Sequence, residues 1–70
     1  MNMSVKRQSL EDYLTGLREQ RDYHMYNRRV GIANGNLVVV HRCDRKIDEL
    51  EKEIKKINDQ CLDEMLKELG

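Results

Sequence analysis

The residues of this chain able to do chemistry are His24, His41, Cys43, Cys61, Asp44, Asp48 and three tyrosines, together with an arginine-rich stretch. Histidine and cysteine suggest zinc first. A zinc site needs ligands converging within about 2.0–2.3 Å of one ion. Cys61 follows Cys43 by eighteen residues. On one helix that is roughly 27 Å, at 1.5 Å rise per residue. His24 can approach His41 or Cys43, which leaves two or three ligands. There is no C-x-x-C or H-x₃-H pair to complete a set. The reading is therefore no metal and no cofactor, with Cys61 as a small apolar residue of a helix seam.

Acid–base work is open in principle to Asp44, Asp48, His24, His41 and the tyrosines. No nucleophile motif accompanies them, and no glycine-rich loop opens a helix to hold phosphate. The Ser-Gln-x-Leu-Asp signature of the short sporulation phosphatases, helical hairpins of similar size, would fall on Val40-His-Arg-Cys-Asp44. Only Asp44 matches, so no resemblance follows. The chain is read as a non-enzyme.

The stretch that stands out is Arg18, Arg21, Tyr23, His24, Tyr26, Arg28 and Arg29. Guanidinium groups and stackable rings together suit phosphate and bases. Arginine and tyrosine are equally the favoured anchors of protein interfaces. Seven cations stand against three acids over residues 18–46, a net charge of +4, and four lysines stand against eight acids over residues 47–70, a net charge of −4. The whole chain is neutral, whereas a strong nucleic-acid binder usually has a clear basic excess. The expected site is thus a protein-binding surface of Arg21, Tyr23, His24, Tyr26, Arg28 and Arg29. Nucleic acid bound by the basic 18–46 region is the alternative.

Those residues must be positioned by the elements around them. Ser9-Leu-Glu-Asp12 resembles a capping box, and Leu10, Leu14 and Leu17 form one helical stripe with Tyr13 at its edge. Helix 1 is expected from Leu10 to about Arg28, after a flexible tail over residues 1–9. Arg21, His24 and Arg28 continue the stripe with polar groups. Burying them is costly unless they are paired, so helix 1 splays there, finds acids on helix 2, or is completed by another molecule. Asn34-Gly35 suits a type I′ turn, and Val38-Val39-Val40 favours strand. The preferred reading is a β-hairpin over residues 28–42 between two long antiparallel helices. A plain αα-hairpin with its loop at 32–36 is the alternative, because Val40 and Cys43 extend the helix 2 seam backwards in register. Helix 2 is expected after Asp44 as cap, with a seam of Ile47, Leu50, Ile54, Ile57 and Cys61. At Glu64 that seam breaks, and Leu62, Met65, Leu66 and Leu69 are expected to turn onto the leucines of helix 1.

Seventy residues allow one domain with a small core. There is no Phe, no Trp and no Pro, and 37% of residues are charged, which suits solvated helices. Two cysteines are too few for a disulfide framework. With no apolar signal segment at the N-terminus and no stretch approaching a membrane span, a cytoplasmic location is expected. One seam cannot cover itself from all sides, so a homo-oligomeric helical bundle is expected too. Together these give a small regulatory or adaptor protein that binds a larger protein, without a membrane.

Overall fold

The computed structural model describes residues 5–70. Two helices account for nearly all of them: α1, Val5–Ala33, and α2, Leu37–Leu69. They lie antiparallel in a rod 52 Å long and 16 Å by 12 Å across. Both follow one rule. On α1 the inward positions are Arg7, Leu10, Leu14, Leu17, Arg21, His24, Arg28 and Gly31. On α2 they are Val40, Cys43, Ile47, Leu50, Ile54, Ile57, Cys61, Glu64 and Glu68. The spacing alternates three and four throughout, and all of these residues are buried or half-buried. That is the seam of an antiparallel two-stranded coiled coil. Its apolar centre is Leu14, Leu17, Ile54, Ile57 and Cys61, flanked by Leu10 and Leu50. Each buried Leu or Ile contributes about 2 kcal/mol by leaving water.

No strand occurs among the described residues, so the β-hairpin over residues 28–42 is not formed and the chain is a plain αα-hairpin. The reason lies in what Asn34-Gly35-Asn36 does with its hydrogen bonds. Gly35 has φ +67°. Its N–H donates to Ile32 O at 3.1 Å, and the Asn36 N–H donates to Gly31 O at 2.8 Å. This pair of bonds closes a helix C-terminus in a Schellman motif, with glycine as the left-handed residue. The side chain of Asn36 then accepts from the Val39 N–H at 3.2 Å and caps α2. A type I′ turn also demands positive φ of a glycine, so Asn-Gly is a signal both structures share.

The three valines consequently stand in the first turns of α2. Their helix cost is only a few tenths of a kcal/mol each, and burial of Val40 and Cys43 against α1 outweighs it. Gly31 makes that approach possible. A Cβ there would sit 3.1 Å from Val39 Cγ1 and 3.2 Å from Val40 Cγ2.

Other boundaries move as well. Helix 2 starts at Leu37 under Asn36, well before Asp44. Helix 1 starts at Val5 and continues past Arg28 to Ala33. Residues 5–9, expected in a flexible tail, are helical, and the rest of that tail lies outside the described residues. The seam does not turn at Glu64. It runs straight on as ion pairs, because α1 presents cations there. Lys6 meets Glu64 at 3.1 Å and Arg7 meets Glu68 at 2.7 Å. Leu62, Leu66 and Leu69 therefore stay exposed instead of packing on helix 1.

Candidate functional site

An antiparallel pair has two flanks where side chains beside the seam face one another. At the turn end, one flank opens into a groove of about 1210 Å³. Tyr23, Asn27 and Val30, at i, i+4 and i+7, form its α1 wall. Val39, Arg42 and Lys46, at i, i+3 and i+7, form its α2 wall. Gly31 and Cys43 are buried residues at the seam between the walls. Arg45 extends the cationic side, His41 also lines the groove, and Glu49 is the single acid of the lining. Tyr23 is 63% exposed and Val38, at the mouth, is 61% exposed. A large apolar surface edged by cations is thus left open to water at this end of the rod.

The six residues expected as one surface are distributed around α1. Tyr23 and His24 line the groove, their rings edge to face at 5.3 Å and 72°. Arg28 crosses the seam to the carboxylate of Asp44. Arg21 is half-buried at the seam. Its Nε is enclosed without a hydrogen bond, 3.8 Å from Asp22. Tyr26 and Arg29 are exposed but do not line the groove. The polar half-seam therefore resolves by pairing at Arg28 and by partial exposure at Arg21 and His24. With no strand present, there is no strand edge for the tyrosines to adjoin.

The α2 wall does not emerge from a β-hairpin over residues 28–42, because neighbouring strand residues face opposite sides. Read as helix, Val39, Arg42, Lys46 and Glu49 fall on one face, and that spacing was available in the sequence.

At the far end the chemistry is electrostatic. The hydrogen bond to Glu68 raises the Arg7 guanidinium above its ordinary range, against a smaller opposing effect of burial. Lys6 chiefly, then Lys67, holds Glu64 below the usual carboxylate range, while desolvation acts in the other direction.

No three His, Cys, Asp or Glu side chains come together in a metal-holding group among the described residues. Cys43 and Cys61 are both buried and unbridged. No helix among the described residues is long and apolar enough to cross a membrane. Comparison with protein-family models, with curated proteins and with solved structures finds no match to this chain.

Proposed function

We propose that this chain is a small, non-enzymatic regulatory or adaptor protein of the cytoplasm. It binds a larger protein through the groove at the turn end, and it self-associates. The observation that carries this reading is the groove itself: exposed Tyr23, Val30 and Val38 beside Arg42, Arg45 and Lys46, with Glu49 the single acid of the lining. Tyrosine and arginine around an apolar patch are the usual anchors of a protein interface. The complementary partner is an amphipathic segment whose apolar side chains are edged by acids, the helix-in-groove mode of recognition. Tyr26, exposed on the adjoining outer face, extends the contact, whereas Arg29, between Met25 and Ile32 in helical phase, stands on the other flank.

The same three cations beside a stackable ring favour nucleic acid as the second reading. Salt separates the two. Binding to nucleic acid releases counterions, so affinity falls steeply with salt, whereas contact anchored by Tyr and Arg in a desolvated patch depends on salt less. A mixed-sequence DNA duplex and an RNA hairpin are titrated against the wild type and Arg42→Ala/Lys46→Ala at several salt concentrations. Weak binding that the double variant does not change is the expected result. Tight binding with a steep salt slope, lost in the double variant, would overturn the protein reading in favour of the second.

A further inference from the structure

The groove occupies one flank of the rod, and the opposite flank carries apolar residues that the fold leaves unpartnered. Leu62, Met65 and Leu69 repeat at three and four residues along α2. Because the seam runs on through Glu64 and Glu68, they point sideways from it, and Leu62 and Leu69 are 53% and 78% exposed. A shallow hollow of about 450 Å³ between Leu62 and Met65 of α2 and Glu11, Thr15 and Arg18 of α1 identifies this flank. Helical phase places Met25 and Ile32 of α1 and Leu37 of α2 on the same flank, at the turn end. All three are exposed, at 41%, 56% and 68%.

We infer that these two patches are the halves of one self-complementary interface, on which a second copy of this chain lies antiparallel about a two-fold axis. This gives the self-association proposed above a surface and a symmetry. Position is the first argument. The middle of α2 is Glu53 and the middle of α1 is Glu19. Leu62 and Leu69 lie roughly 14 and 24 Å from the middle toward the open end, at 1.5 Å per residue. Met25, Ile32 and Leu37 lie roughly 9, 20 and 24 Å from it toward the turn. A two-fold axis across the middle brings each patch onto the other, as an isologous contact requires.

Charge is the second argument, and it selects the direction. On this flank, by helical phase, the turn half carries Asp22, Asp44, Asp48 and Glu51 against Arg29, a net −3, and the open half carries Arg18 and Lys55 against Glu11, a net +1. Copies stacked with turn ends together would oppose like charges. The antiparallel arrangement opposes unlike ones, and it sets Glu51 of each copy beside Lys55 of the other, since these residues stand equally far on either side of Glu53. Size is the third. A flank 52 Å by 16 Å offers on the order of 800 Å² per copy, the contribution of a standard interface.

Sedimentation equilibrium of the full chain at micromolar concentration tests this. The wild type is expected at twice the 8.4 kDa chain mass. Leu62→Glu/Leu69→Glu and Ile32→Glu/Leu37→Glu should each halve that mass, with helical circular dichroism retained because all four positions are exposed. Val38→Glu on the groove flank should leave the dimer intact. A wild type that stays monomeric at every concentration would overturn self-association altogether. A dimer untouched by both double variants would overturn the surface and leave self-association standing. Direction is read without disrupting anything: oxidation of mixed Leu69→Cys and Leu37→Cys chains should join unlike chains. Efficient joining of Leu69→Cys chains to one another would overturn the antiparallel arrangement.

Discussion

The same substitution, glycine to alanine, should act with opposite signs at two positions of this fold. Gly35 has φ +67°, and a Cβ there would meet nothing within 4 Å, so its cost is backbone strain alone. Holding an L-residue in the left-handed region costs about 1–2 kcal/mol. Lower entropy in the unfolded chain returns about 0.4–1 kcal/mol, so Gly35→Ala should destabilise by about 1 kcal/mol. Gly16 lies within α1, with nothing within 4 Å of a Cβ. Its replacement should stabilise by about 0.5–1 kcal/mol from helix propensity. For a chain of this size, 1 kcal/mol moves the melting temperature by about 4–8 °C. The two variants should therefore melt on the order of 10 °C apart, on either side of the wild type. Thermal circular dichroism at 222 nm measures this, at matched chain concentrations because association adds stability. Gly31→Ala should destabilise despite its helical position. Valines in a helix hold one rotamer, so the methyls of Val39 and Val40 cannot turn aside from the new Cβ. Equal melting of Gly35→Ala and Gly16→Ala would refute a left-handed residue 35, and with it the turn that defines the hairpin.

Three further outcomes follow from the seam and its ends. Ile54→Asp places a charge in the apolar centre and should abolish the helical signal at 25 °C, since an unpaired buried carboxylate costs several kcal/mol. Asn36→Ala removes the cap on Val39 N–H and should cost about 1 kcal/mol, read as a lower melting temperature with unchanged helicity before melting. Glu64 titrates lower in the folded state than its ordinary value of 4.5. The stabilisation is thus present above that value and lost as pH falls through it toward the folded pKa. NMR shifts of Lys6, which pairs with Glu64, should lose helical character over that acid range, and Glu64→Gln should remove this dependence.

The centre of the fold was legible because Leu10, Leu14, Leu17 and the Ile47–Cys61 seam repeat at a spacing only a helix uses. The turn was not. Gly35 signals positive φ without saying which structure needs it, and three valines carry a strand preference that amounts to a few tenths of a kcal/mol each. What outweighed that preference is a tertiary fit, Val40 packed over Gly31, which no local propensity encodes. The open end was misjudged for a related reason. Leu62, Met65, Leu66 and Leu69 look like core until Lys6 and Arg7 are set opposite Glu64 and Glu68. Of the site, Tyr23 and His24 were legible as unusual residues. Val39, Arg42 and Lys46 share a face only when residues 37–42 are read as helix, a spacing present in the sequence but masked by the strand preference of the valines. That end of the chain is basic in any reading, since charge at 18–46 is a property of composition.

The most direct test of the proposed function is affinity capture from the source cell after nuclease treatment, with three chains compared side by side. These are the wild type, Tyr23→Ala/Arg42→Ala in the groove, and Tyr13→Ala at the far end as control. Tyr23 and Arg42 are exposed, so the groove variant should keep its helicity and melting temperature. A defined protein partner should be retained by the wild type and by Tyr13→Ala, and lost from the groove variant. Retention of the same partner by a folded Tyr23→Ala/Arg42→Ala chain, or loss of every partner on nuclease treatment, would contradict a protein-binding groove at the turn.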